Sequence, residues 1–547
     1  MPEEVINRNQ SRVQTSWQDG MITSLPAEEL PPTAAQDLVN VELDIEGNLV
    51  TRTGALAFIQ PSTTSRITSI FRAQYSNGTV LILFTAGTKL FKCNEDGSSI
   101  TDITGALSLP NNTMWQWAMF GDLAIGVNKA TSGDNPVKVN NAGTAAALGG
   151  SPPKAKYIRV WNERVWLATS TGGSQNQLRA SAINLPEDWS TTGDAGTITI
   201  NIDANDGDFI TGLETFRGSL FVFKRRKINV ISPIASPATI PGNLRVDVFT
   251  KNLGCVSAYS IQPVLDDVVF LADCGVVSLS QSEFGELKSA ILSQNIAELN
   301  ILKKTSALLE EIPAFVLDDV NQYWLSIPST ISPRGVNEIY VMDYQRIKEG
   351  LIRWVRFNGL ICGTAFAEKL DDSYKKYLIG AYPVTSVNTK IYQYSPSNPT
   401  KIFADDSSAY IKLIKTKAYI GETPMIRQLW NRFGCSLNLI SELLTFVVSY
   451  FYNNNVNVDG QYSFNFVFTG IAPPLYGTAI YGTSKYGSAS DFFREEVIWE
   501  RFKKNENGRK GRTVSFEFSN AQTNEGFIFK FLQVDYTKLT RKNARTI

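Results

Sequence analysis

The chain has 547 residues, 43% of them hydrophobic and 19% charged, and its 52 basic residues balance its 52 acidic ones. This is a globular composition, which excludes a disordered chain and one drawn to nucleic acid or anionic lipid by its overall field. Histidine is absent, so Ser-His-Asp and Cys-His nucleophiles, histidine bases and histidine-ligated metals are excluded, and carboxylate chemistry alone stays open.

The length suggests roughly three or four domains, or fewer if repeats pool their cores. Aromatic residues reach 11%, and Thr, Val, Ile and Ser are plentiful, a bias toward strands. Cys93, Cys255, Cys274, Cys362 and Cys435 are isolated from one another. With no CxxC and no metal spacing they read as reduced core thiols. The start, MPEEVINRNQSRVQTSW, has no apolar signal region, and no stretch approaches 18 apolar residues. Neither a classical export signal nor a membrane segment is expected.

Residues 1–60 read as a polar arm followed by a docking segment. Trp17 is the one large anchor of an otherwise polar arm, suited to a pocket on a neighbouring subunit. Pro31-Pro32 opens a stretch expected to be helical to about residue 40. Asp44-Ile45-Glu46-Gly47-Asn48 then breaks two apolar runs as a hairpin turn would.

From 61 to 410 one pattern recurs: an apolar lead-in, a polar turn and a short apolar strand. It appears as SIFRAQYSNGTVLILF, WAMFGDLAIGV, KYIRVWNERVWLA, LETFRGSLFVF, QPVLDDVVFLA, FVLDDVNQYWLSI and FAEKLDDSYKKYLIG. The strand centres Ile82, Ile125, Trp166, Val222, Phe270, Trp324 and Leu378 lie 41 to 56 residues apart. Units of that length with several short strands predict a β-propeller, because a small sheet covers both its faces only by stacking on its neighbours. Seven units can be counted, with an irregular series of β-sandwiches as the alternative. Ser293–Leu302 carries apolar residues at helical spacing and predicts a helix over about 293–304. Residues 411–547 have longer strands and read as a separate C-terminal β-domain. Within them PPLYGTAIYGTSKYGSAS holds Tyr476, Tyr481 and Tyr486 before glycines, an aromatic loop suited to an interface. The expected fold class is all-β, mainly antiparallel.

The paired carboxylates Asp266-Asp267, Asp318-Asp319, Asp371-Asp372 and Asp405-Asp406 could suggest a glycosidase. The first three fall in repeated turns, where Asp is favoured for backbone reasons, and turns are the preferred reading. Asp203, Asn205 and Glu214 match positions one, three and twelve of a calcium loop, but Asp208 stands where its sixth-position glycine belongs, so a plain turn is preferred. Two basic clusters stand out: Lys224, Arg225, Arg226 and Lys227, and Lys503, Lys504, Arg509, Lys510 and Arg512. Either could meet DNA phosphates, with a solvated hairpin tip as the preferred reading. No catalytic, cofactor or metal residue is expected.

The string LPAEELPPTAAQDLVNVELDIEGNLVTRTGALAF, through Pro31, Asn40, Val41, Asp44, Gly47, Arg52 and Gly54, resembles the opening of a known family. These are the packaged-DNA stabilisation (tail accessory) and tail nozzle proteins of short-tailed bacteriophages. Thr53 departs from the pattern, where Pro usually stands. AKYIRVWNERVWLA, LRASAINLPEDWS, GDFITGLETFRGSLFVFK, GCVSAYSIQPVLDDVVFLADCGVVSLS, YVMDYQRIKEGLIRWVRF and GRKGRTVSFEF follow in the family's order. The resemblance implies a virion tail protein made in the host cytoplasm. It would form a hexameric ring bound to a head-tail adaptor and to tail tip, needle, fibre or spike proteins. Double-stranded DNA would pass through its channel without sequence-specific contact. Read from the residues and not from the resemblance, Lys224, Arg225, Arg226 and Lys227 are the candidate lumen contact, although the family pattern has fewer positive charges there, and Trp17, Tyr476, Tyr481 and Tyr486 are the candidate interface. A propeller glycosidase or depolymerase and a glycan-binding receptor-recognition propeller remain as alternatives.

Overall fold

The computed structural model describes residues 9–538 except 129–134, 170–174, 204–205, 236–240, 283–290, 300–306, 329–336, 360–362, 370–373, 382–388, 399–400, 422–426, 442, 455–456, 468–494 and 503–509. The architecture is all-β. The chain forms two compact units: Met1–Gly54, Val341–Asn358 and Thr400–Ile547 make one, Ala55–Tyr340 and Gly359–Pro399 the other.

The second unit is a propeller of six antiparallel sheets. Four run up and down in chain order over Ile67–Asp102, Trp115–Ala147, Ala155–Asn201 and Ile210–Lys251, each with four strands. A three-stranded sheet covers Gln262–Ser278, and the sixth holds Gly363–Lys369, Lys376–Ala381 and Ile391–Tyr394. The expected turns join first strand to second. Gly78 (φ +83°), Asn162 and Glu163 (+47° and +56°), and Arg217 and Gly218 (+46° and +77°) take left-handed conformations that close tight hairpins.

Each blade buries its faces against its neighbours. Ala73, Leu81 and Leu83 of the first meet Trp115, Trp117 and Val139 of the second in one cluster. Trp161 and Trp166 of the third pack with Leu213 and Val222 of the fourth, and Phe223 of the fourth with Phe270 of the fifth. The ring closes between the sixth and first blades, where Leu378 and Ala365 join Ile70, Ile82 and Phe84. Ala55–Ile59, from the far end of the sequence, adds antiparallel to Ile391–Tyr394 and completes the sixth blade. The six sheets are one fewer than the seven units counted in the sequence. The remaining centre, Trp324, does lie in a strand, Gln322–Pro328, paired with Ala314–Leu317. This hairpin stands between the fifth and sixth blades: Gln262 donates to the Ala314 carbonyl at 2.9 Å, and Phe315 stacks on Phe366 with centroids 5.8 Å apart.

The first unit is built from two sheets with rings between them. One joins Glu495–Arg501, Gln428–Leu439 and Phe527–Lys538 and then continues to Leu49–Thr51 and Val41–Leu43. The other runs from Arg353–Phe357 through Ala34–Val39, Lys412–Thr416 and Thr513–Asn520 to Leu443–Tyr452 and Gly460–Val467. Phe446 meets Phe527 at 5.2 Å and Phe518 meets Phe529 at 4.9 Å across the gap.

Several expectations are corrected here. Residues 1–60 and 411–547 are not separate domains: Asn9–Gln14 pairs with Phe527–Lys538, and Ala34–Val39 with Lys412–Thr416, so both ends share one unit. The propeller spans 55–340 and 359–399, not 61–410. Ala34–Val39 is a strand and not a helix, because pairing on both edges and burial of Ala34, Ala35, Leu38 and Val39 outweigh the weak local signal. Over 293–299 only a 3-10 turn, Ala297–Leu299, forms, and 300–304 lies outside the described residues. Trp17 is no anchor for a neighbour. Its side chain is wholly buried, edge-on to Phe529 at 5.5 Å, and its backbone N–H donates to the Gly47 carbonyl.

Trp17→Ala and Trp166→Ala should each cost roughly 3–5 kcal/mol in denaturant melts, as expected for a buried aromatic, while Leu185→Ala, at a position 55% exposed, should change little. A Trp17 variant as stable as the parent would contradict its place in the core.

Candidate functional site

The basic run Lys224–Lys227 is the turn between Ser219–Lys224 and Lys227–Pro233. Its charges meet an acidic loop that precedes the same blade. The Lys224 side chain is fully buried, and its ammonium donates to both Asp206 oxygens at 2.9 Å and to the Asp203 carbonyl at 3.0 Å. Lys227 donates to Asp203 Oδ2 at 3.0 Å, and Arg225 to Asp273 Oδ1 at 2.8 Å. Asp208 accepts the Arg226 backbone N–H at 2.9 Å. A side chain at Gly254 would put Cβ 2.0 Å from the Lys224 carbonyl, which instead accepts the Cys255 N–H.

The expected lumen contact is corrected at Lys224, which has no surface to offer a phosphate. Lys227 and Arg225 are half-buried and already paired, leaving Arg226 as the exposed member of the four. The calcium-loop resemblance is likewise absorbed, since lysine ammoniums occupy the carboxylates of Asp203 and Asp206. Glu214 turns away to Arg159. Among the described residues no group of three or more Cys, Asp or Glu could hold a metal ion. Complementary charge on the two flanks of one hairpin, acidic at 203–208 and basic at 224–227, was the signal that could have linked the two runs.

Electrostatics agree with this pairing. The Asp203 carboxyl is held below its ordinary pKa by the Asn229 side-chain hydrogen bond and then by Lys227. For Asp206, burial works upward, but the hydrogen bond from Lys224 and further donors outweigh it and the pKa is lowered.

The paired carboxylates also serve structure. Asp267 accepts from the Val268 and Ser280 backbone N–H groups at 2.7 and 2.9 Å. Asp318 takes the Lys375 ammonium at 2.6 Å, and Asp319 accepts the Tyr377 and Ser397 hydroxyls. Asp371 and Asp372 lie outside the described residues. Asp405 is the counter-charge of Arg52: both side chains are almost wholly buried, 2.7 Å apart, with the guanidinium 3.7 Å from the Tyr410 ring centroid. Arg52 also donates to Asn40 Oδ1 at 2.9 Å and to the Asn358 carbonyl at 3.2 Å. Beside it a Cβ on Gly54 would lie 1.9 Å from the Ala404 carbonyl. At the departing position, the Thr53 hydroxyl donates to the Ile402 carbonyl at 3.3 Å, a bond proline lacks. Asn40, Arg52 and Gly54 therefore form one knot, which sequence spacing alone did not reveal.

Tyr476, Tyr481, Tyr486, Lys503, Lys504 and Arg509 lie outside the described residues. The Lys510 backbone pairs with Leu429, and the Arg512 N–H donates to Asn453 at 2.6 Å. Cys93, Cys255 and Cys435 are buried free thiols, as read, with burial pushing the first two up to about 12. Among the described residues no helix is long and apolar enough to cross a membrane.

No family model and no curated protein matches this sequence. Solved structures give distant likenesses. The WD40 domain of Neurospora crassa Pan2 has a TM-score of 0.36 at 11% identity over 64% of this chain and 97% of that one. Chaetomium thermophilum Raptor has 0.38 at 12% over 64% of this chain and 29% of that one. PorZ of the Porphyromonas gingivalis type-IX secretion system has 0.29 at 9% over 67% and 57%. Likenesses this remote carry nothing about function.

Asp206→Asn should cost ~3 kcal/mol at neutral pH, because it strands a buried ammonium; adding Lys224→Met should restore most of that loss. Carboxyls lowered on folding give stability that is complete above the unfolded pKa near ~4 and is lost as pH falls through the folded values. Melts of the parent should therefore drop steeply below about pH 4, and Asp206→Asn should flatten that drop. Identical pH profiles for the two proteins would contradict the Lys224–Asp206 pairing.

Proposed function

We propose that this chain is a structural protein of a bacteriophage virion, a tail component of the nozzle type. In this reading it forms a ring that continues the DNA channel below an adaptor, retains the packaged genome and lets it leave. The tail tip, needle, fibres or spikes attach beyond it. The reading places no catalysis in the chain.

The observation that carries it is the ordered succession of family-like segments across most of the sequence, joined to what their residues do. Asn40, Arg52 and Gly54 of the opening string are committed to a buried knot, and Asp44 and Gly47 to a hairpin turn in which Asp44 accepts the Asn48 N–H at 2.8 Å. A signature spent on scaffold suits a subunit whose work is shape. Passing DNA would meet nonspecific charge, with Arg226 the member of the basic turn free to supply it, and any affinity should fall steeply with salt.

Electron microscopy of the purified protein, alone and with its adaptor, tests the proposal directly. A closed ring with a central opening, and the chain's presence in purified virions by mass spectrometry, are the expected results. A protein that stays monomeric at high concentration with the adaptor present, and is missing from virions, would overturn it.

A further inference from the structure

A cavity of about 500 Å³ opens in the first unit between the edge strand Asn9–Gln14 and the short strand Tyr419–Ile420. Arg12, Val13, Glu28, Lys417, Tyr419 and Ile420 are among its walls. Two cations face it. The Arg12 guanidinium donates to the backbone carbonyls of Ile420 at 3.3 Å and Gly421 at 2.9 Å. The Lys417 ammonium donates to the Leu30 carbonyl at 3.3 Å. Carbonyl dipoles orient both groups but neutralise neither, and each keeps further N–H donors.

Several arginines of this unit are ion-paired, while buried Lys412 donates to the Asn520 side chain and the Gln522 carbonyl at 2.8 Å. Arg52 is paired with Asp405, Arg353 with Asp343 at 2.6 Å, and Arg356 with Asp37 at 2.6 Å. At the cavity, no carboxylate among the described residues forms an ion pair with Arg12 or Lys417. Glu28 shares the wall, but its carboxylate accepts from the Asn454 side chain. Like charges facing one space repel, and the Lys417 ammonium has its pKa lowered by burial and then by Arg12. An anion placed between them would relieve that repulsion and take up the remaining donors.

We infer that this cavity binds a small organic phosphate, its phosphoryl group between Arg12 and Lys417 and its apolar body against Ile420. A forked guanidinium beside an ammonium suits a tetrahedral dianion, which accepts from several directions at once. The volume falls within the usual range for small-molecule sites, roughly 300–1,000 Å³, and exceeds the need of a bare ion. The inference is independent of the virion reading, since it rests on this cavity alone.

Isothermal titration calorimetry of the full chain with inorganic phosphate, phenyl phosphate and benzoate tests it. Phenyl phosphate should bind more tightly than inorganic phosphate, and benzoate more weakly than phenyl phosphate. Arg12→Gln and Lys417→Gln should each weaken phenyl phosphate about tenfold or more, as expected for loss of a charge-assisted contact. Glu28→Gln, which removes negative charge from the wall and touches neither cation, should tighten it severalfold and keeps the test open if the other variants misfold. Saturating phenyl phosphate should also raise the melting temperature. No binding of either phosphate to folded protein, binding indifferent to all three substitutions, or benzoate binding as tightly as phenyl phosphate would each overturn the assignment.

Discussion

One buried guanidinium holds three separate passages of chain together. Arg52 reaches Asn40 a short distance back along its own segment, the Asn358 carbonyl after a long excursion, and Asp405 after another. Taking these charges out of water is costly, and their attraction offsets the cost only because the geometry is complete: both carboxylate oxygens are engaged, and Tyr410 covers the guanidinium face. Such a pair adds little net stability over a well-packed apolar substitute. Its value lies in specificity, since an unpaired Arg52 or Asp405 would be strongly unfavourable and misplacement of any of the three passages is thereby penalised. The neighbouring glycine, pressed on the Ala404 carbonyl, enforces the same close approach sterically.

The propeller obeys a different constraint. A four-stranded sheet of short strands exposes two apolar faces, and only another blade on each side removes both from water. The clusters follow that logic: each contains residues of two successive blades, and the ring is shut by residues from its first and last sheets. Ala55–Ile59 makes the closure topological as well, because the strand completing the last blade comes before the first in sequence. The Ala314–Pro328 hairpin stands in the ring between the fifth and sixth blades.

Charge in this molecule is mostly spent on itself. The balanced composition could have concealed large opposite patches, yet the most conspicuous basic run is met by the acidic loop preceding the same hairpin. Adjacent aspartates likewise take up backbone N–H groups, lysines and hydroxyls in turns. At the cavity beside Arg12 and Lys417 two cations are oriented by backbone carbonyls, with the Lys417 ammonium also 5.9 Å from the Tyr419 ring centroid.

The sequence by itself determined the all-β class, the propeller and the positions of its hairpins. Those features rest on local information: short apolar runs, a turn residue able to take positive φ, and a recurring spacing, so Ile82, Trp166, Val222 and Leu378 could be placed at strand centres directly. Tertiary structure decided what long-range pairing controls. Ala34–Val39 had a first-turn proline before it and no strong pattern of its own, and pairing with Lys412–Thr416 made it a strand. Trp17 looked like an exposed anchor because its arm is polar, yet the ring that buries it, Phe529, lies at the opposite end of the chain. Lys224 looked like a DNA contact because the counter-charges of a hairpin tip are set by which loop folds over it. Burial and ion pairing depend on partners brought together only in three dimensions, and no local window of sequence contains them.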